Sequence, residues 1–240
     1  MNVFRCLALA AFAAMLPCGS LRAADLPAAP TPTPAPTAAP APSAAEAAFL
    51  ARIMRDLPAR YPTPQRAIAA GYVRFSNEDN TGAISYVNTT AWNTTDPDVP
   101  AQLWYDVKGR LIGADYSVRI ADAPSGPALF GIAPSRFGKL GAHIHYVTCA
   151  AHAMGGMTTC AYGKAVGAKK YATVGDIEHP TAEGLVKLGV VTDPASVATV
   201  FLYPAIYDVS IWVVPNPLGQ FAEHNPAVVP SPHAGMGDNM

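Results

Sequence analysis

Gly141-Ala142-His143-Ile144-His145-Tyr146 is the string in this chain whose residue types and spacing can do chemistry. Alternate side chains of an extended segment share a face. His143 and His145 therefore point the same way, with Cα atoms roughly 7 Å apart. Two neutral imidazoles so placed suit two neighbouring positions on one transition-metal ion: zinc, iron or copper. Asp115, Asp208 and His224 are the candidates for a third ligand. The acids come from the same alternation. In 111–120, Asp115, Ser117 and Arg119 oppose Ile112, Ala114, Tyr116 and Val118; in 206–214, Asp208, Ser210 and Trp212 oppose Tyr207, Val209, Ile211 and Val213. In 102–107, Asp106 falls opposite Tyr105 and Val107.

Four strands thus carry one apolar face and one face of His, Asp or Ser. The apolar faces are expected to build the core, Ile144 and Tyr146 among them. The polar faces are expected to line an open surface or cleft, with Asp115 and Asp208 as binding residues. Ordinary solvated alternation is the plain alternative for a one-sided antiparallel sheet. A merely wet face is richer in Lys, Glu and Thr than in the His and Asp found here.

A second cluster, Cys149-Ala-Ala-His152-Ala-Met154-Gly-Gly-Met157-Thr-Thr-Cys160, packs soft sulfur and imidazole into a short span. Such a set suits copper. A disulfide between Cys149 and Cys160, closing a hairpin that turns at Gly155-Gly156, is the favoured expectation. No Ser nucleophile motif or Gly-rich phosphate loop is present.

Several families share parts of these strings. Lysostaphin-type peptidoglycan endopeptidases end in a string similar to Gly141–Tyr146, but they also need an upstream His and Asp, and no His precedes His143. Cupins use His-x-His followed shortly by Glu and later by His. No Glu follows here within reach, and Pro217-Leu218-Gly219 with His224 resembles their second motif only loosely. Intradiol ring-cleaving dioxygenases carry a similar His-Ile-His strand with two upstream tyrosines on ferric iron. That resemblance implies an iron enzyme drawing on Tyr86, Tyr105 or Tyr116. Over residues 60–228 the chain resembles an uncharacterised group of secreted bacterial proteins, through Gly138–His145 and the run Trp212-Val-Val-Pro-Asn-Pro-Leu-Gly-Gln-Phe-Ala-Glu-His-Asn-Pro226. This resemblance implies one domain and brings no established activity.

The elements that must position these residues follow from periodicity and punctuation. Phe49, Ile53 and Leu57 at fourfold spacing predict a helix over 45–57, ended by Pro58, and Thr63-Pro64 opens a second over 64–70. Strands are expected at 83–88, 102–107, 111–120, 142–148 and 206–214. Lys108-Gly109-Arg110 joins the second and third as a hairpin. Short helices are expected at 181–188 and 194–200, each opened by a proline. The whole reads as an α+β domain, an antiparallel sheet of about five strands with helices on one face; a β-sandwich is the alternative.

The ends set the surroundings. Arg5, the apolar run Cys6–Leu16, and Ala23-Ala24 make residues 1–24 an expected secretory signal, too short in its apolar part to span a bilayer. Cys18 would be the acylated residue of a lipoprotein; Pro17 directly before it argues for soluble export. Residues 25–44, rich in Ala, Pro and Thr, are an expected disordered linker. One folded domain over 45–228 and a flexible tail over 229–240 complete the organisation. Losing Arg5 and Arg22 moves the formal charge from −1 to −3. With no basic patch and no later apolar span, nucleic acid is not an expected partner and no transmembrane helix is expected. The chain is thus expected to be periplasmic or secreted and to bind a transition metal. A non-catalytic domain binding a partner or carbohydrate is the alternative, and an iron enzyme like the intradiol dioxygenases the second.

Overall fold

A capping box starts the first helix of this computed structural model, which describes residues 37–151 and 158–235. Ser43 Oγ accepts from Glu46 N at 3.2 Å, and Glu46 Oε2 accepts from Ser43 N at 2.7 Å. Helix α1 (Ala44–Arg60) then buries Phe49, Leu50, Ile53 and Leu57. Pro58 does not end it. A proline this near the C-terminus removes one helical hydrogen bond, and Tyr61 N still closes on Leu57 O at 2.8 Å. Thr63 caps α2 (Pro64–Ala69) as its sequence predicts.

Nine strands follow among the described residues: β1 (Val73–Glu78), β2 (Ile84–Val87), β3 (Gln102–Tyr105), β4 (Leu111–Arg119), β5 (Gly138–Leu140), β6 (His143–Ala151), β7 (Thr158–Gly167), β8 (Val197–Tyr203) and β9 (Ile206–Trp212). Two short helices, α3 (Ala168–Tyr171) and α4 (Ala182–Lys187), lie between β7 and β8. The strands form two open antiparallel sheets, ordered β1-β2-β3-β4-β9-β5 and β7-β6-β8. The expected mixture of helix and antiparallel sheet is present, with nine strands in place of about five. The expected helix at 194–200 is instead a single 3-10 turn, Pro194–Ser196, running straight into β8. Val197, Thr199 and Val200 are β-branched and sit better on a pleated surface than in a helix.

Each sheet has its own apolar cluster. One face of the six-stranded sheet joins α1 through Tyr86, Leu103, Tyr105, Tyr116, Val209 and Ile211. In the second sheet, Ile144, Tyr146 and Val166 pack with Tyr171 and Leu185 of α3 and α4. The two sheets meet through Phe75, Val87, Trp92, Ala101, Phe201, Tyr203 and Ile206. Both faces of β6 are therefore packed, one fully at Ile144 and Tyr146 and the other partly at His143 and His145.

The termini of the domain are more firmly held than expected. Ala39 N donates to Leu218 O, and Arg136 Nη2 donates to Pro40 O and Ala41 O. At the other end, Ser231 N and Oγ both donate to the Glu78 carboxylate, and Gly235 N donates to Glu78 O at 2.8 Å. The expected signal, most of the linker, the turn with His152, Met154 and Met157, and the last five residues lie outside the described residues.

Candidate functional site

Register places the histidines. On the centre strand of the smaller sheet, His143 stands opposite Tyr203 of β8 and His145 opposite Phe201. Cross-strand neighbours on one face touch, and the rings stack: His143 on Tyr203 with centroids 4.7 Å apart, His145 on Phe201 at 5.7 Å. Phe75 of β1 meets His145 edge-on at 4.9 Å. On the other side, the β7 partners are Gly167 and Ala165, which carry little or no side chain.

Hydrogen bonding assigns the tautomers. His143 Nδ1 lies 2.7 Å from Gly141 O, and His145 Nδ1 lies 3.2 Å from Lys164 O. A carbonyl oxygen only accepts, so both Nδ1 atoms carry their protons. In the neutral rings both lone pairs then sit on Nε2. The two Nε2 atoms face each other at 3.0 Å. Burial, and then the neighbouring His143, hold the His145 pKa down at about 4, so that ring is neutral at pH 7. Two lone pairs at this distance repel unless a cation lies between them. That cation is either a shared proton, with one ring as imidazolium, or a metal. Two imidazole nitrogens about 2.0–2.1 Å from one ion, at tetrahedral to right angles, stand about 2.9–3.4 Å apart. Donation of Nδ1–H to a main-chain carbonyl is also the usual support of a metal-bound imidazole.

The third ligand expected from the sequence does not join them. No group of three His, Cys, Asp or Glu side chains able to hold a metal occurs among the described residues. His224 is fixed by its main chain, where Asn216 Nδ2 donates to His224 O at 3.0 Å. Its neighbour Asn225 returns the contact by donating to Pro215 O at 3.1 Å, so the Asn-Pro turns anchor one another. The upstream tyrosines face α1. Tyr105 Oη donates to Tyr61 O and Tyr116 Oη to Pro97 O, and Tyr86 packs in the same cluster. Tyr203 is the tyrosine beside the imidazoles. The sequence does not point to it, because the pattern over 194–200 predicts a helix across half of the strand that carries it.

Asp115 and Asp208 come together with each other. On β4 and β9 Asp115 pairs with Ser210 and Ser117 with Asp208, which makes the two acids diagonal neighbours on one face. Ser117 Oγ donates to Asp208 Oδ1 at 2.5 Å, and Trp104 Nε1 donates to Asp115 Oδ2 at 3.0 Å. Asp115 Oδ1 is buried with no hydrogen-bond partner. Burial, and then the charge of Asp208, raise the Asp115 carboxyl well above the usual range; burial pushes Asp208 up to about 7 against the pull of Ser117. Beside Asp208 opens a cleft of about 430 Å³ whose walls include Trp104, Lys139, Ser210, Trp212 and Glu223. A larger, mostly apolar groove of about 930 Å³ runs past Tyr146, Val190, Val191 and the cystine, and includes neither the imidazoles nor the buried aspartates.

Cys149 and Cys160 are bonded to each other, as expected, and stand directly opposite across β6 and β7. No family model, curated protein or solved structure matches the chain.

Proposed function

We propose that this protein binds one transition-metal ion, of zinc, iron or copper, through His143 and His145, and that it does so after export to an oxidising compartment. The observation that carries the reading is the pair of Nε2 atoms 3.0 Å apart with both Nδ1 protons committed to main-chain carbonyls. The arrangement is pre-formed. Stacking on Tyr203 and Phe201 and the edge-on contact of Phe75 fix both ring planes, so little side-chain freedom is lost on binding. Two imidazoles leave the other coordination positions to water or a small ligand, which suits reversible loading better than a closed structural site. The cystine and the signal-like residues 1–24 support export.

Elemental analysis after dialysis against Zn²⁺, Cu²⁺ or Fe²⁺ tests the metal. Close to one equivalent of one of these ions is expected on the wild-type chain. His143→Ala and His145→Ala should each lower the affinity about tenfold or more. ¹⁵N spectra of the imidazoles add a second readout, since a metal perturbs Nε2 while Nδ1 stays protonated. Absence of stoichiometric metal, together with an imidazolium signal shared between the rings, would mean that the pair holds a proton, and the metal reading would be abandoned.

A further inference from the structure

The face of the six-stranded sheet that meets the second sheet also carries the Asp208 cleft, which the histidine pair does not use. We propose that this cleft is a binding site for a small organic cation, an amine, with its ammonium group on Asp208 and its carbon frame against the Trp104 ring.

Charge is the first argument. The acids at the walls are Asp79, Asp208 and Glu223, and the bases are Arg136 and Lys139. Both bases are engaged elsewhere. Arg136 is paired with Glu46 at 3.1 Å and lies over Phe221, and Lys139 Nζ lies 5.2 Å over the Tyr207 ring. Tyr207 points to the face opposite Asp208. Arg136 is thus balanced by Glu46 and Lys139 turns its charge away, so among the described residues no basic side chain pairs with Asp208.

The second argument is the carboxyl pair, Asp208 at the cleft wall and Asp115 buried behind it. Asp115 is only 4% exposed, and its Oδ1 has no hydrogen-bond partner. Its diagonal neighbour Asp208 is satisfied by Ser117 at one oxygen. Two carboxyls so placed need one positive charge between them, supplied by a proton when the cleft is empty. An arriving ammonium group supplies that charge instead: the carboxyl proton leaves to solvent, the ligand keeps its own, and the charges balance. The groups around Asp208 are Asp115 and Ser117 on β4, Tyr203 on β8, and, at the cleft walls, Asp79 in the β1–β2 turn and Glu223; Lys139 on β5 stands opposite Tyr207 and turns its Nζ to that other face. The third argument is the wall. Trp104 is partly exposed at the cleft, its indole N–H fixed on Asp115, and an aromatic face beside a carboxylate is favourable for an organic cation. A cleft of about 430 Å³ is in the range that holds a small molecule.

Titration calorimetry of the full chain tests this, with ethanolamine, choline and putrescine as probes and glucose and acetate as neutral and anionic counterparts. Measurements at pH 6 and pH 8, in two buffers of different ionisation heat, read proton release. At least one amine is expected to bind one-to-one, more tightly at pH 8 than at pH 6, releasing up to one proton. Asp208→Asn should weaken it roughly tenfold or more, and the exposed Glu223→Gln about twofold. Glu223→Gln preserves the test should Asp208→Asn fail to fold. Three results would overturn the proposal: no amine binding, glucose binding at least as well as the amines, or an amine affinity unchanged in both variants.

Discussion

Groups of like character are brought together at two places, Nε2 against Nε2 at His143 and His145, and carboxyl beside carboxyl at Asp115 and Asp208. The carboxyl pair has a consequence for stability that is independent of any ligand. Asp208 keeps its proton in the folded chain up to about pH 7, while in the unfolded chain it ionises near pH 4. The folded state thus binds more protons between these values, and stability falls as pH rises from about 4 to about 7. Asp208→Asn removes that dependence. Its stability relative to wild type should be greater at pH 8 than at pH 5, by on the order of 1–3 kcal/mol, the range allowing for water that reaches Asp208 through the cleft. Urea unfolding at the two pH values measures this difference, and equal differences would show that the carboxyl is ionised in the fold.

At the scale of elements, β3 and β4 show how a strand pair sets a side chain for use. Trp104 stands opposite Gly113, and a Cβ at position 113 would lie 2.3 Å from the indole ring. The missing Cβ is what lets the ring lie across β4 and reach Asp115. Gly113→Ala should displace Trp104, cost about 1–3 kcal/mol, and shift tryptophan emission as the indole leaves its site. Unchanged emission and stability would show that the strand pair absorbs the methyl by a backbone shift. Much of this level was legible in the sequence. The β3–β4 hairpin, the cap of α2, the existence of α4, the shared face of His143 and His145, and that of Asp115 and Asp208 all follow from period and punctuation. What was not legible depends on pairing across long separations. Ile144 and Tyr146 were correctly given to a core, but nothing local shows that the opposite face of the strand would be covered by Phe75, some seventy residues earlier. Ile112 was grouped with Ala114 and Tyr116. An irregularity in the β3–β4 register turns it to Trp212 instead, and no residue type announces that shift. The strands β1, β5 and β7 escaped because their sequences mix Gly, Ser, Asn and Lys with few apolar residues. Their partners, not their propensities, make them strands.

For the whole molecule, the two sheets have separate clusters joined by aromatic contacts and by Gln102, whose side chain donates to Tyr203 Oη at 2.6 Å. The ends of the described fold are tied in by residues whose composition is that of a linker and a tail: Ala39–Ala41 on one side and Ser231–Gly235 on the other. The second tie has a further meaning. β1 is the outermost strand of its sheet, and Glu78 at its end is 8% exposed because the tail lies over it. An uncovered outer strand offers free N–H and C=O groups to another chain. Removing the tail is therefore expected to favour self-association. A chain ending at Val229 keeps all the buried core residues but loses Ser231 and Gly235. It should fold with nearly the wild-type melting temperature, yet form dimers and larger species with rising concentration, as read by light scattering. If it stays monomeric, the neighbouring β6–β7 hairpin, where Asn77 Nδ2 reaches Tyr162 O at 3.5 Å, is shield enough.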